Sequence, residues 1–262
     1  MTLRRKVQYG LLSVFIIVFS MGIFAQPLIV SADKWCPYNC DPTSKRPGYA
    51  VELLREIFSP FDNQVEYRIS PWPRALDDAN QGRIAAVIAA NKKEVLEHQL
   101  VIGKEPIGMA RGCVFVPATN LFQYRSMRDL DRLRHVGVVG GTVYTNDFGE
   151  WLAKPSNKSK IHAVFGDDVT ERRAKMMMMG RLDGIFEDHV EMMYVLNQNG
   201  LQGQIVSAGC QKASPLFIAF SPRYPHAREL AASLDAGLQK MRKTGALKRH
   251  LDHYGLTDWQ SR

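Results

Sequence analysis

Pro71-Trp72-Pro73-Arg74-Ala75-Leu76-Asp77-Asp78-Ala79-Asn80-Gln81-Gly82-Arg83-Ile84-Ala85-Ala86-Val87-Ile88 reads as a helix, a Gly-Arg stop and a short apolar strand. The chain uses this grammar twice. From Asp167 a helix-like run passes through Met176-Met177-Met178-Met179, stops at Gly180-Arg181 and continues as Leu182-Asp183-Gly184-Ile185-Phe186-Glu187-Asp188. Glycine ends each helix because it takes left-handed dihedrals without a Cβ penalty, and the apolar residues behind it suit a strand buried on both faces. Two α/β lobes with a cleft between them are expected.

Around the first phrase, Leu28 to Ala32 predicts a strand, and Tyr49 to Phe58 carries apolar residues at helical spacing. Val65 to Ile69 alternates like a strand, a helix follows over 73–81, and Ile84 to Ala90 returns to strand. This βαβαβ order implies a mostly parallel sheet. Residues 110–117 read as a further strand. Around the second phrase the expected strands are 135–139, 160–165 and 182–187, with a helical turn near 127–130 and helices near 144–152 and 168–179. Residues 201–206 lead back to a strand over 215–220, and two helices, 225–243 and 245–254, close the chain.

The chain has 262 residues, 45% of them hydrophobic, which is enough for a real core. Arg4-Arg5-Lys6, the apolar run from Leu11 to Phe24 and Ala25 before Gln26-Pro27 predict a cleaved secretory signal over residues 1–25. An uncleaved anchor is the alternative, but the run is short of the about 20 residues a span needs. Loss of the signal removes three positive charges from the formal +8 and leaves +5. Basic residues are interspersed with acidic ones, so nucleic acid is not an expected partner.

Four cysteines in an exported chain point to two disulfides. Cys36 and Cys40 are spaced to close a small loop, whereas Cys113 and Cys210 have to meet in space. A zinc site lacks a second close-spaced pair of ligands. The four consecutive methionines cannot share one helix face and read as core filling, and His250 with His253 lies on a basic helix face. No local Ser, Cys or His signature suggests catalysis, and no cofactor or metal is expected.

The ordered set Pro47-Gly48-Tyr49…Glu52-Leu53, Pro71-Trp72-Pro73-Arg74-Ala75-Leu76, Gly82-Arg83, Val136-Gly137-Val138…Gly141-Thr142, Gly180-Arg181-Leu182-Asp183 and Thr244-Gly245-Ala246-Leu247 resembles the periplasmic solute-binding proteins of family 3. These are similar to the polar amino-acid receptors of ABC importers. The resemblance implies a periplasmic binding protein type 2 fold, with two Rossmann-like lobes joined by two crossing strands. The first lobe would comprise residues 26–114 and 214–262, and the second residues 115–213. It further implies a periplasmic, non-catalytic, monomeric receptor that holds a small polar solute in the cleft and presents it to a membrane permease or sensor. A dehydratase-like enzyme on the same scaffold and a protein-binding accessory are the alternatives. Cys113 and Cys210 would fall near the crossings, where a bridge ties the two connections together.

By the same resemblance, Trp35 and Trp72 sandwich the ligand side chain, with Tyr38 and Tyr49 as weaker candidates. Asp188 holds an amino group, while Gly141, Thr142 and Tyr144 form the turn that receives an anion. One departure matters most. Where amino-acid receptors place hydroxyl residues and then an arginine that clamps the α-carboxylate, this chain reads Ala89-Ala90-Asn91-Lys92-Lys93-Glu94-Val95-Leu96-Glu97, with Glu97 at the arginine position. Lys92, Lys93 or Arg74 would have to supply the missing cation. A standard α-amino acid is therefore not the expected ligand.

Overall fold

The computed structural model describes residues 27–59, 64–141, 144, 147–166 and 168–260. Residues 1–25, where a signal is expected, and Thr142 lie outside the described residues. Among the described residues no helix is long and apolar enough to cross a membrane.

The strands are β1 (Leu28–Ala32), β2 (Val65–Ile69), β3 (Ala86–Ala90), β4 (Gly108–Ala110), β5 (Gly112–Pro117), β6 (Val136–Val139), β7 (Ile161–Val164), β8 (Gly184–Asp188), β9 (Ile205–Cys210) and β10 (Ser214–Phe220). The helices are α1 (Tyr49–Phe58), α2 (Trp72–Asn80), α3 (Lys92–Glu97), α4 (Asp147–Ala153), α5 (Val169–Met178), α6 (His189–Gln198), α7 (Ala227–Lys243) and α8 (Ala246–Asp252). They build two five-stranded sheets, β2-β1-β3-β10-β4 and β7-β6-β8-β5-β9. Each sheet has three parallel strands followed by two antiparallel additions. The mixed α/β class with two parallel-centred lobes is thus observed.

Both copies of the opening phrase end their helix alike. The N–H of Gly82 donates to Ala79 O and that of Arg83 to Asp78 O; Gly180 and Arg181 donate in the same way to Met177 O and Met176 O. With φ of 79° and 69°, Gly82 and Gly180 sit in the left-handed region. This paired bonding satisfies the last helical carbonyls and turns the chain sharply into β3 and β8.

Each sheet is covered on both faces. Leu53, Leu54 and Phe58 of α1, Leu234 and Leu238 of α7 and Leu247 of α8 fill one side of the first sheet, while Ala75, Leu76 and Ala79 of α2 with Val95 of α3 fill the other. In the second sheet Phe148 and Trp151 of α4 pack opposite Ala174 and Met177 of α5 and Met192 and Leu196 of α6. Of the methionine run, Met177 is buried while Met178 and Met179 stay exposed, as a 3.6-residue period requires.

Three local readings differ from the sequence. The strand expected over 110–117 is two strands broken at Arg111, because the chain leaves the first sheet there and enters the second. The return runs through β9 at 205–210, later than the expected 201–206. Helices α3 and α6 were not expected. Each is announced by a cap with an acidic residue three positions on, Asn91 with Glu94 and Asp188 with Glu191.

Both disulfides form, Cys36–Cys40 and Cys113–Cys210. The second joins paired positions of β5 and β9, next to the two crossings between the sheets.

Candidate functional site

Ligands of open α/β sheets bind at the carboxyl ends of the parallel strands. In the first sheet those ends are followed by Asp33-Lys34-Trp35, Ser70-Pro71-Trp72 and Asn91-Lys92. In the second they are followed by Gly140-Gly141, by Phe165 and by Asp188 itself. The two sets face each other. Lys34 Nζ lies 3.3 Å from Asp168 Oδ1 across the gap, and the Tyr38 hydroxyl lies 3.4 Å from Asp188 Oδ1.

On the first-sheet side Trp35 is half-buried, its ring 4.5 Å from that of Tyr38, which in turn lies 5.5 Å from Tyr49. Tyr38 is fully buried, and its hydroxyl also lies 3.4 Å from the Met109 carbonyl. It closes the floor of the cleft and presents no free ring face. Burial and then the neighbouring Asp188 charge push its pKa well up. Trp72, also half-buried, donates Nε1–H to Glu94 Oε1 at 2.8 Å, while Glu94 Oε2 accepts from Asn91 N. The Asn91 side chain accepts from Lys93 N and Glu94 N, so a single capping box both starts α3 and fixes the indole.

The candidate cations Arg74, Lys92 and Lys93 are all solvent-exposed. Arg74 is exposed on α2 and lies 3.8 Å from Asp78. Lys92 is exposed at the start of α3. Glu97, at the position of the missing arginine, is exposed and lies 3.7 Å from Lys93. Asp33, directly after β1, is a residue that carries no sequence signal of its own. Desolvation and the Glu94 charge hold its carboxyl above the usual range, against backbone hydrogen bonding that lowers it.

On the second-sheet side Gly141 is exposed with φ 83°. The Tyr144 hydroxyl accepts from Val139 N at 3.1 Å, and its ring meets Phe148 edge-on, so it is held against its own lobe. Phe165 is 64% exposed and packs where a Cβ on Gly140 would stand, 2.5 Å from its ring. It is a second residue that sequence reasoning missed. The only clue was an aromatic directly after an alternating strand.

Asp188 is buried and fully engaged. Its Oδ1 accepts from Val190 N and Glu191 N, capping α6, while Oδ2 accepts from Arg111 N at the strand crossing. Beside it Arg173, completely buried, bonds Glu187 and Thr170, and the Thr170 hydroxyl donates to Glu191 at 2.6 Å. Burial and the Glu187 charge raise Glu191 well above its normal range. Glu187 thus points to Arg173, and His189 stacks on Phe115. Ligating atoms of His189, Cys113 and Cys210 lie within 4.8 Å of one another, but the two sulfurs are joined and supply no thiolates to a metal.

Burial lifts the Asp188 pKa from 3.8 to about 6, against the hydrogen bonds that lower it. The folded carboxyl therefore holds its proton more tightly than the unfolded one. Its contribution is fully present below about pH 4 and is lost as pH rises through about 6. We expect the stability of the wild type relative to Asp188→Asn to fall by on the order of 2–3 kcal/mol between pH 4 and 7, read from urea midpoints at each pH. A difference that stays flat contradicts this linkage.

An open depression of about 890 Å³ lies elsewhere, beside the crossing and along α4, and is lined by Tyr124, Arg125, Asp147, Trp151, Gln211 and Lys212. It mixes charges of both signs and shares none of the strand-end residues.

Residues 28–257 match the family described as bacterial extracellular solute-binding proteins, family 3. A search of curated proteins finds no match. Among solved structures, the chain is similar to a histidine kinase sensor domain with similarity to periplasmic binding proteins, at 21% identity and TM-score 0.63 over 87% of this chain and 95% of that one. An ancestral arginine-binding protein bound to arginine gives 18% identity and TM-score 0.63, covering 87% and 97%. The GluR0 ligand-binding core from Nostoc punctiforme in complex with L-glutamate gives 15% and 0.61, covering 87% and 99%. At these identities the structures establish the fold. The family match spans most of the sequence, and the chain belongs to the bacterial extracellular solute-binding proteins, family 3.

Proposed function

We propose that this chain is a periplasmic, monomeric, non-catalytic receptor. It captures a small polar solute between the facing strand ends and presents it to a membrane permease of an ABC importer. The observation that carries the reading is the pair of opposed strand ends, bridged by Lys34 and Asp168 and furnished with Trp35, Trp72 and Phe165. Aromatic faces of this kind take apolar, planar or cationic groups.

The preferred solute is a cation without an α-carboxylate. Glu97 stands where the resemblance puts a clamping arginine, and Lys92 and Arg74 are exposed. Burial raises the carboxyls of both Asp33 and Asp188 above the ordinary range, with the neighbouring Glu94 and Glu187 charges adding to it, and a bound cation would favour their ionised forms. A sensor partner is the second reading. The same fold serves as a histidine kinase sensor domain in one solved structure and as an arginine-binding protein in another.

Thermal-shift and calorimetric titration of the exported chain with amines, guanidines, amino acids, organic acids and short peptides tests the proposal. A cationic amine should raise the melting temperature and be recovered unchanged. Trp35→Ala and Trp72→Ala should each weaken binding at least about tenfold, in line with roughly 1–2 kcal/mol for a desolvated cation–aromatic contact, while Glu97→Ala should stay within about twofold because its partner is an exposed lysine. Turnover of the bound compound would establish the enzyme reading instead. Failure of every class to bind would favour the accessory role.

A further inference from the structure

At the ends of β6 and β7 away from the cleft, two imidazoles meet. His135 immediately precedes β6, and His162 lies on β7 opposite Gly137, two residues along from His135. His135 Nδ1 and His162 Nε2 are 2.8 Å apart, with ring centroids 4.9 Å apart and planes inclined at 67°. Nothing in the receptor reading uses this pair.

Two neutral imidazoles at that distance share a single proton, so at least one nitrogen lone pair always faces the other ring. A divalent transition metal bound to histidine at about 2.0–2.1 Å places two neighbouring ligand nitrogens about 2.9–3.3 Å apart. The observed separation is close to that bite, and a small rotation of either ring turns both lone pairs onto a common ion. We propose that His135 and His162 form a surface chelate for a divalent transition metal, with water completing the coordination. Imidazole ligands and the stability order of the first-row ions favour copper(II) most strongly.

The backbone around the site is already fixed. Asp183 accepts from Arg134 N at 2.9 Å and from His135 N at 2.8 Å, which holds the residue carrying one ligand against the turn before β8. The neighbouring Lys160 ammonium donates to the Asp131 carbonyl at 2.6 Å. His135 is exposed and His162 half-buried, so an ion reaches the pair directly from solvent. The other histidine flanked by acceptors, His250, lies between Glu52 and Glu56 on the first-sheet side and serves as an internal control.

The test is titration of the tag-free chain with copper(II) alone, followed by calorimetry and electron paramagnetic resonance. One equivalent should bind with hyperfine splitting from two imidazole nitrogens. His135→Ala and His162→Ala should each lose at least tenfold in affinity, and His250→Ala should be indistinguishable from wild type. Melting curves without metal check that the variants fold, and the two independent substitutions guard against a defect in either. Unchanged affinity and spectra in both variants, or loss of the site in His250→Ala, would overturn the proposal.

Discussion

Replacing Cys113 and Cys210 together by alanine is expected to lower the unfolding free energy by about 4–5 kcal/mol. The bridge spans a sequence separation of 97, and closing a loop of roughly 100 residues removes about 4.7 kcal/mol of chain entropy from the unfolded state. The covalent link also holds β9, an edge strand whose sole partner in the sheet is β5. The matching Cys36→Ala/Cys40→Ala variant opens a loop with a separation of only 4. By the same relation it should cost about 2 kcal/mol. Urea denaturation of both double variants, with non-reducing peptide mapping of the wild type, checks the expectation. Equal losses from the two would show that loop length does not govern either bridge.

Arg173→Met is expected to destabilise the second lobe by about 3–5 kcal/mol, because it strands buried carboxyls without their cation. For a chain of this size that corresponds to a fall of roughly 6–20 °C in melting temperature. The guanidinium is completely buried and bonds Glu187, Thr170 and the carbonyl of Val169, with those of Gly137 and Phe186 at 3.5 Å. It therefore joins α5 to β6 and β8 as well as neutralising charge. Two signatures separate the electrostatic part from lost packing. Protonating Glu191, whose carboxyl is held above its normal range, should shrink the penalty as pH falls, and adding Glu187→Gln should recover a large part of it. A penalty that is independent of pH and of Glu187 would assign the effect to packing.

The architecture was legible because its signals are local. Gly82-Arg83 and Gly180-Arg181 each specify a helix end and a following strand within a few residues, and the hydrophobic stripe of Tyr49 to Phe58 names its own buried face. The site was less legible because its partners are remote. Nothing near Asp188 announces that Tyr38, 150 residues away, and the N–H of Arg111, 77 residues away, converge on its carboxylate. The Asp188…Glu191 pattern is local, but a carboxylate at a strand end suits both a ligand's amino group and the cap of a following helix, and the pattern does not separate the two. Trp72 reads as an aromatic platform, whereas its hydrogen bond to Glu94 depends on the short helix α3. Asp33 and Phe165 carry no pattern of their own. Only the assembled strand ends show where they stand.

The position of β10 also dictates an order of events during synthesis. β4 joins its sheet through β10 alone, so the first sheet stays two strands short until Ser214–Phe220 has emerged. The second sheet draws all five strands from residues 112–210 and has its full complement earlier. A chain delivered N-terminus first therefore completes its middle before its beginning, and meanwhile Ala86–Ala90, buried in the finished protein, has an unpaired edge. Interrupted synthesis before residue 214 would release a product with one finished sheet and one adhesive edge, a ready substrate for chaperones and proteases.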